Sequence, residues 1–177
     1  MAGSIAEFKA SFNTDLARSN RFDVIITPPL TLFTVVPTNT KKLSYRCEVS
    51  QLPGRTFATT EQKTYGPIEK YPYLTTYNDL DLTFIVDSEM NQKYIFDAWL
   101  EYINPAFTNN FKYKADYATY LTVNQYNTQN EIVYSADFFE CYPISMNQMD
   151  LDWSADGYHK LTVTFAYTRW FNRTFVI

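Results

Sequence analysis

Residues 78–105 read NDLDLTFIVDSEMNQKYIFDAWLEYINP, and two hydrophobic periods follow each other within this stretch. Over 78–86 every second residue is apolar, which is typical of a strand that buries one face. From residue 87 the spacing becomes helical, and one apolar stripe contains Met90, Tyr94, Ile95, Ala98, Trp99, Tyr102 and Ile103. Asp87 or Ser88 can cap the start of the helix, and Pro105 ends it. The stretch therefore predicts a half-buried strand and then a helix over 87–104.

Strand patterns dominate the rest of the chain. They occupy residues 21–27, 30–36, 43–49, 117–126, 131–142 and 158–171. The last of these has the most regular alternation, with large apolar residues on one face and mainly threonine on the other. Residues 4–18 have apolar positions at helical spacing, which predicts an N-terminal helical arm over 1–18. We therefore expect a mainly β fold over 1–177, a single domain built as an antiparallel β-barrel or sandwich with one flanking helix.

Two segments lack the pattern of a buried face. Residues 56–77 are rich in Thr, Tyr and Pro, so we expect an extended, irregular segment with edge-strand pairing at most. Residues 140–153, ECYPISMNQMDLDW, have the composition of a linker before the final strand. A connector packed on its own core and a segment that contacts neighbouring molecules are both consistent with its residues.

The composition favours a globular protein with unusual aromatic content. The 177 residues are 46% hydrophobic and include 15 Tyr, 14 Phe and 3 Trp. Aromatic residues favour strands, and they are also enriched at contacts between proteins, so both interpretations remain open. The formal net charge of −4 argues against a general nucleic-acid-binding protein, which would carry a basic face.

Cysteine usage and the N-terminus bear on the cellular compartment. Cys47 and Cys141 are too few for a disulfide scaffold and lack CxxC spacing, which favours free thiols in a reducing cytoplasm. The start, MAGSIAEFKASF, lacks the layout of a signal peptide, and no apolar run is long enough to cross a bilayer. We expect a soluble protein that is not exported by a classical route and does not insert into membranes.

Few residues suggest catalysis. His159 is the single histidine, and the four glycines form no phosphate-binding loop, so we expect no catalytic residue, cofactor site or metal site. Asp79 with Asp81, and Asp150 with Asp152, could form the acid–base pair of a hydrolase. Carboxylates two residues apart on a strand point the same way, however, and usually belong to a solvated face.

The order of these elements resembles the tail tube protein of contractile-tailed bacteriophages, a family related to the type VI secretion tube protein. The segments that carry the resemblance are ARSNRFDVII (17–26), YRCEVSQLPG (45–54), NDLDLTFIVDSEMNQKYIFDAWLEYI (78–103) and MNQMDLDWSADGYHKLTVTFAYTRWF (146–171). The resemblance covers nearly the whole chain, and its segments are packing patterns and not catalytic motifs. Residues 28–42 are longer than the compact hairpin expected from the family pattern.

The resemblance implies a self-assembling structural protein. Six copies would form a ring, with strands of neighbours joined into a continuous inner sheet, and stacked rings would form a hollow tube. The tube would carry the phage genome outward when the sheath contracts, and the DNA would pass through without specific binding. The implied partners are further copies of the chain, tail sheath subunits, and baseplate and tail terminator proteins. The implied location is the tail of the virion, after assembly in the host cytoplasm.

Several residues receive expected roles in such a tube. Asp79 and Asp81 would face the lumen, where a negative wall repels phosphates. Contacts between subunits are expected from Phe8, Phe12, Tyr65, Tyr71, Met146 and Met149. A baseplate tube initiator or a secretion-system tube protein would share this architecture. A small-molecule-binding β-barrel, with aromatic side chains lining a pocket, is the alternative from another class of protein.

Overall fold

A computed structural model describes residues 4–10, 16–29, 32, 40–63, 65–154 and 156–173 of the chain. Its helices are α1 (Ile5–Ala10), α2 (Thr40–Tyr45), α3 (Asn91–Ile103) and α4 (Lys114–Tyr117). Its strands are β1 (Phe22–Ile26), β2 (Cys47–Val49), β3 (Thr56–Gln62), β4 (Glu69–Thr76), β5 (Leu80–Ile85), β6 (Thr119–Tyr126), β7 (Ile132–Met146), β8 (Lys160–Ala166) and β9 (Arg169–Asn172).

One antiparallel sheet forms the body of the molecule. Six of its seven strands follow the order β1-β6-β7-β8-β5-β2, and the seventh strand, β9, pairs with β7. β7 belongs to both halves of the sheet, because its first part pairs with β6 and β9 while its second part pairs with β8. The sheet curls around one core and nearly closes, so the predicted mainly β, antiparallel, barrel-like fold is confirmed.

The centre of the core lies between β5, β8 and the strands opposite them. β5 and β8 pair in register from Leu80 opposite Phe165 to Ile85 opposite Lys160. Their inward side chains, which the alternation predicted, are all buried: Leu80, Leu82, Phe84, Leu161, Val163 and Phe165. Burying each such side chain contributes about 1.5–3 kcal/mol, so these two strands stabilise the fold strongly.

Helix α3 covers this core with the predicted apolar stripe. Trp99 is fully buried, packs against Phe165, and donates its indole N–H to the carbonyl of Tyr117 at 3.1 Å. The helix begins at Asn91, four residues after the predicted start at residue 87. Residues 87–90 form a turn instead, in which Oδ1 of Asp87 accepts the backbone N–H of Asn91 at 2.9 Å. The carboxylate of Asp87 thus accepts a backbone N–H of the first helical turn, which has no acceptor within the helix itself.

A bend in β7 joins the two halves of the sheet. Glu140 has a φ of 52°, which breaks the extended backbone within this 15-residue strand. Its carboxylate accepts hydrogen bonds from Nζ of Lys114 at 2.7 Å and from Oγ1 of Thr168 at 2.6 Å. The strand continues through Pro143 to Met146, so only the second half of the segment 140–153 is the predicted linker. Pro143 is accommodated because the register shifts beside it.

The predicted strand over 43–49 is wrong in its first half. Thr40–Tyr45 is helix α2, and only Cys47–Val49 is extended. Leu43 is buried, whereas Tyr45 is exposed, so this short segment has a single apolar anchor and no alternation of burial. Residues 30–36, predicted as a strand, lie outside the described residues except for Leu32, which is buried.

Residues 56–77 are regular where an irregular segment was expected. β3 and β4 pair with each other from Thr56 opposite Thr76 to Gln62 opposite Glu69. Pro72 lies beside a register shift in the ladder, which is where a strand tolerates proline. We call this two-stranded unit, residues 56–76, the ribbon. Threonine and tyrosine favour the extended backbone even though no core lies beneath them.

The predicted N-terminal arm is partly described. Ile5–Ala10 forms the short helix α1, and both Ile5 and Phe8 are exposed. Nearer the body, the backbone carbonyl of Arg18 accepts a hydrogen bond from Gln125 of β6 at 2.7 Å. The segment before β1 is therefore attached to the sheet.

Candidate functional site

The carboxylate pairs do not come together into a catalytic site. Asp79 and Asp81 lie at the start of β5, whereas Asp150 and Asp152 lie in the loop before β8, at the opposite end of the β5–β8 pair. Asp152 accepts hydrogen bonds from the backbone N–H and the hydroxyl of Ser154, both at 2.9 Å, and these bonds lower its pKa. Within the described residues, no group of three or more His, Cys, Asp or Glu side chains could hold a metal ion.

A polar face lies on the outside of β5 and β8. The hydroxyls of Thr83 and Thr162 are 3.0 Å apart across the two strands, and Oγ1 of Thr164 donates to Oδ1 of Asp81 at 2.7 Å. We call Asp81, Thr83, Thr162 and Thr164 the threonine face. Asp79, just before β5, is exposed. The face offers short, hydrogen-bonded side chains to solvent.

The outer face of the other half of the sheet is aromatic. Tyr120 and Phe139 pack edge to face at 5.2 Å between ring centroids, and Phe139 and Phe171 lie 4.8 Å apart. Beside them, Arg173 donates two hydrogen bonds to the carboxylate of Asp137, at 2.9 and 3.1 Å. The two outer faces of the sheet therefore differ in chemistry, one polar and threonine-rich, the other aromatic.

The ribbon carries apolar side chains on both of its faces. Phe57 pairs with Thr75 and Leu74 pairs with Ala58, so Phe57 and Leu74 point to opposite sides. They are 54% and 53% exposed. Further large apolar side chains of the ribbon are exposed as well: Tyr65, Ile68, Tyr71 and Tyr73. An isolated two-stranded ribbon is marginally stable at best in water, so a surface that covers these side chains would stabilise the unit.

Contacts at its base fix where the ribbon leaves the body. The indole N–H of Trp170 donates to the carbonyl of Gly54 at 3.1 Å. The guanidinium of Arg55 lies over the rings of Trp170 and Tyr77, at 5.1 and 5.8 Å from their centroids. Because Trp170 belongs to β9, these contacts tie the start of the ribbon to the main sheet.

The loop of residues 147–159 is a second exposed apolar surface, and we call it the acidic loop. Leu151, Trp153 and Tyr158 project into solvent, and Trp153 is fully exposed. The side chain and backbone of Asn147 hold the start of the loop to Thr162, with hydrogen bonds of 2.7 and 3.0 Å. The loop thus begins from a fixed point and presents its large apolar residues outward.

The predicted contact residues have different surroundings. Phe8, Tyr65 and Tyr71 are exposed, while Met146 and Met149 are partly buried against the chain's own core. Phe12 lies outside the described residues. Phe57, Leu74 and Leu151 are exposed as well, but the sequence did not single them out as contact residues. Phe57 and Leu74 lie in strands, where an apolar residue is ordinarily assigned to a core, and Leu151 lies in a loop without periodicity, so only their exposure identifies them.

No described helix is long and apolar enough to span a membrane.

The fold of this chain is similar to the folds of chains in several solved structures. A chain of the anti-feeding prophage baseplate matches with a TM-score of 0.64 at 15% identity, covering 90% of this chain and 96% of that chain. A chain of the PVC sheath–tube complex, an extracellular contractile injection system in its extended state, has a TM-score of 0.62 and 13% identity, covering 97% and 99%. A chain of the PVC sheath/tube terminator has a TM-score of 0.64 and 13% identity, covering 91% and 99%.

At these identities the similarity demonstrates a shared fold. No curated protein sequence matches the chain. The model of one protein family, described as phage tail tube protein, matches residues 17–173. This match takes in the whole sheet, helix α3, the ribbon and the acidic loop. The chain therefore belongs to the phage tail tube protein family.

Proposed function

We propose that this chain is the structural subunit of a phage tail tube, which assembles into hexameric rings that stack into a hollow conduit for the genome. The observation that carries the proposal is the ribbon, whose two faces both expose apolar side chains. A surface of this kind belongs to a protein that is covered by its neighbours. Membership of the tail tube family and the fold shared with chains of sheath–tube assemblies support the same function.

Assembly into a tube requires two kinds of contact between subunits. A head-to-tail contact closes into a ring when its rotation permits, and a second contact along the axis stacks the rings. Three strands of the main sheet, β1, β2 and β9, each have one edge without a strand partner among the described residues. Such edges promote uncontrolled pairing unless another strand covers them. In a ring, strands of neighbouring subunits would cover them and join the sheets into a continuous wall.

We propose that the threonine face, together with Asp79, lines the lumen. Its side chains are short and polar, and the carboxylates of Asp79 and Asp81 give the wall a negative charge that repels DNA phosphates. A cryo-EM map of the assembled tube tests this placement. Carboxylates on the channel wall are the expected result, and carboxylates on the outer wall would overturn it.

The proposed partners are further copies of the chain, tail sheath subunits, baseplate and terminator proteins, and DNA that passes without specific binding. The proposed location is the virion tail, after assembly in the host cytoplasm. The role is mechanical, with no catalysis and no cofactor. Chains of similar fold occur in a baseplate, a sheath–tube complex and a terminator assembly, so a tube initiator or a secretion-system tube protein is the closest alternative.

The packing of the core favours the tube subunit over a ligand-binding barrel. The space between the strands is occupied by large side chains that are fully buried: Leu82, Phe84, Phe138, Val163 and Phe165. A barrel that binds a small molecule instead keeps a cavity at its centre or its mouth.

Negative-stain electron microscopy over a rising concentration series tests the proposed function. Rings or tubes with a central channel are the expected result, with or without a preassembled baseplate as template. A protein that stays monomeric even with the baseplate, and whose Tm rises on binding a small molecule, would overturn the proposal in favour of a ligand-binding barrel.

A further inference from the structure

The acidic loop contains the dipeptide Asp156–Gly157, a pair of residues with a chemical reactivity of its own. The chain has four glycines, and only Gly157 follows an aspartate or an asparagine. The backbone nitrogen that follows an aspartate can attack the side-chain carboxyl group and close a five-membered succinimide ring. A glycine favours this reaction, because it has no side chain to shield its nitrogen and its backbone adopts many conformations.

The structure leaves this dipeptide open to the reaction. Asp156 and Gly157 are exposed and lie outside every helix and strand. A Cβ atom placed on Gly157 would have no heavy atom within 4 Å apart from its chain neighbours. No other described residue donates a hydrogen bond to the carboxylate of Asp156. The carboxyl group can therefore turn toward the nitrogen of Gly157, and water reaches both groups.

The aspartate nearest to it in the loop is less suited to the reaction. Asp152 accepts hydrogen bonds from the backbone N–H and the hydroxyl of Ser154, both at 2.9 Å. The residue that follows it is Trp153, whose large side chain shields the backbone nitrogen. The geometry therefore favours Asp156 over Asp152 within the same loop.

Asp87 is the competing site by sequence, because the small residue Ser88 follows it. Both of its carboxylate oxygens are occupied, since Oδ1 accepts the backbone N–H of Asn91 at 2.9 Å and Oδ2 accepts the side-chain amide of Asn91 at 3.0 Å. These bonds also lower the pKa of Asp87, which reduces the protonated carboxyl from which a water can leave. The fold therefore protects this site.

We propose that Asp156 of the folded chain converts spontaneously to isoaspartate, so that Asp156–Gly157 is a site of covalent modification. The inference concerns the chain itself and does not rest on the proposed function. The nitrogen of Gly157 forms a bond to Cγ of Asp156, and the carboxyl hydroxyl leaves with the amide proton as one water molecule. A second water molecule then opens the ring.

The position of ring opening decides the product. Cleavage between the nitrogen and Cγ restores aspartate. Cleavage between the nitrogen and the α-carbonyl carbon gives isoaspartate, in which the main chain runs through the side chain of residue 156. One water leaves and one is added, so the mass is unchanged, and solvent is the only co-reactant.

The modification lengthens the backbone of the loop by one atom. The start of the loop is fixed because Oδ1 of Asn147 accepts the N–H of Thr162 at 2.7 Å. Its end is fixed because the carbonyl of His159 accepts the N–H of Val86 at 3.1 Å. The added length therefore remains in the exposed part of the loop, and we expect fresh and modified protein to have the same Tm.

Peptide mapping of the folded full-length chain tests the proposal. The protein is incubated for weeks near neutral pH and then digested with chymotrypsin, which cuts after Trp153 and Tyr158 and releases SADGY (154–158). This peptide should separate into two species of equal mass, and the new one should co-elute with a synthetic SADGY that contains isoaspartate. The peptides that contain Asp87 and Asp152 should each remain a single species.

Two variants identify the reacting atoms. Gly157→Ala adds a methyl group that hinders attack by the nitrogen, and the open space around Gly157 accommodates it without a change of fold. Asp156→Glu keeps the charge but requires a six-membered ring. Both variants should lose the second species and keep the Tm of the wild type. The matched control is Gly54→Ala, which changes a glycine with equally open surroundings and should leave the conversion at Asp156 unchanged.

Three results would overturn the proposal. The first is a single SADGY species after incubation of the wild-type protein. The second is conversion at Asp87 or Asp152 to the same extent as at Asp156. The third is a second species that persists in Asp156→Glu, since it would then arise from another residue of the peptide.

Discussion

We predict that replacing Phe57 and Leu74 by serine weakens tube assembly without unfolding the subunit. These residues lie on opposite faces of the ribbon, so the double variant removes one apolar contact from each face. The body of the sheet does not depend on them, because β3 and β4 pair only with each other among the described strands.

The size of the effect follows from the exposed fractions. Full burial of a Phe or Leu side chain contributes about 1.5–3 kcal/mol. The two side chains are still 54% and 53% exposed, so covering the remainder contributes about 1 kcal/mol for each. The pair then accounts for about 2 kcal/mol. Because 1.4 kcal/mol corresponds to a tenfold change in an equilibrium constant, the concentration at which tubes form should rise roughly 30-fold.

Sedimentation and electron microscopy over a concentration series measure this change, and thermal unfolding of the dilute subunit monitors the fold. Surface substitutions usually change stability by less than about 0.5 kcal/mol, so the Tm should shift by about 1–2 °C at most. The control replaces Phe107 and Phe111 by serine, both exposed in the loop after α3. An unchanged assembly concentration for the ribbon variant, or an equal rise for the control, would refute the reasoning.

Three further predictions concern the subunit itself. Trp99→Ala should lower the free energy of unfolding by about 3–5 kcal/mol in urea titrations, because it empties a fully buried site, and Trp99→Phe should cost less. The thiols of Cys47 and Cys141, with pKa values raised to about 12 by burial, should react with iodoacetamide at pH 8 only after unfolding. The hydrogen bond from Lys114 lowers the pKa of Glu140 below its ordinary value of 4.5. Its contribution to stability is therefore present above pH 4.5 and lost as the pH falls through the lowered pKa, so Glu140→Gln should flatten this part of the stability–pH curve.

Each of these three predictions has a result that would contradict it. If wild type and Glu140→Gln lose stability in parallel between pH 5 and pH 2, the bend in β7 does not depend on the charge of Glu140. In the labelling experiment, fast alkylation of the folded protein would show that the thiols are accessible. For Trp99, a loss below about 1 kcal/mol would show that neighbouring side chains refill the site.

The sequence alone predicted the elements that bury a face against the chain's own core. β5, α3 and β8 were predicted because periods of two and 3.6 residues record which side chains are removed from water. The threonine face followed from the same alternation, because the residues opposite the buried ones must face outward. The family resemblance also rested on these packing patterns, and the family match confirms it.

The tertiary structure decided what periodicity does not encode. The ribbon has two exposed faces, so its residues contain no alternation between core and solvent, and its pairing depends on one strand meeting the other. The course of β7 through Glu140 and Pro143 depends on Lys114 and Thr168, which are distant in sequence. Which apolar side chains remain uncovered is likewise a property of the whole fold. Burial is decided by everything that surrounds a residue, and a local pattern records only the side of the chain on which the residue lies.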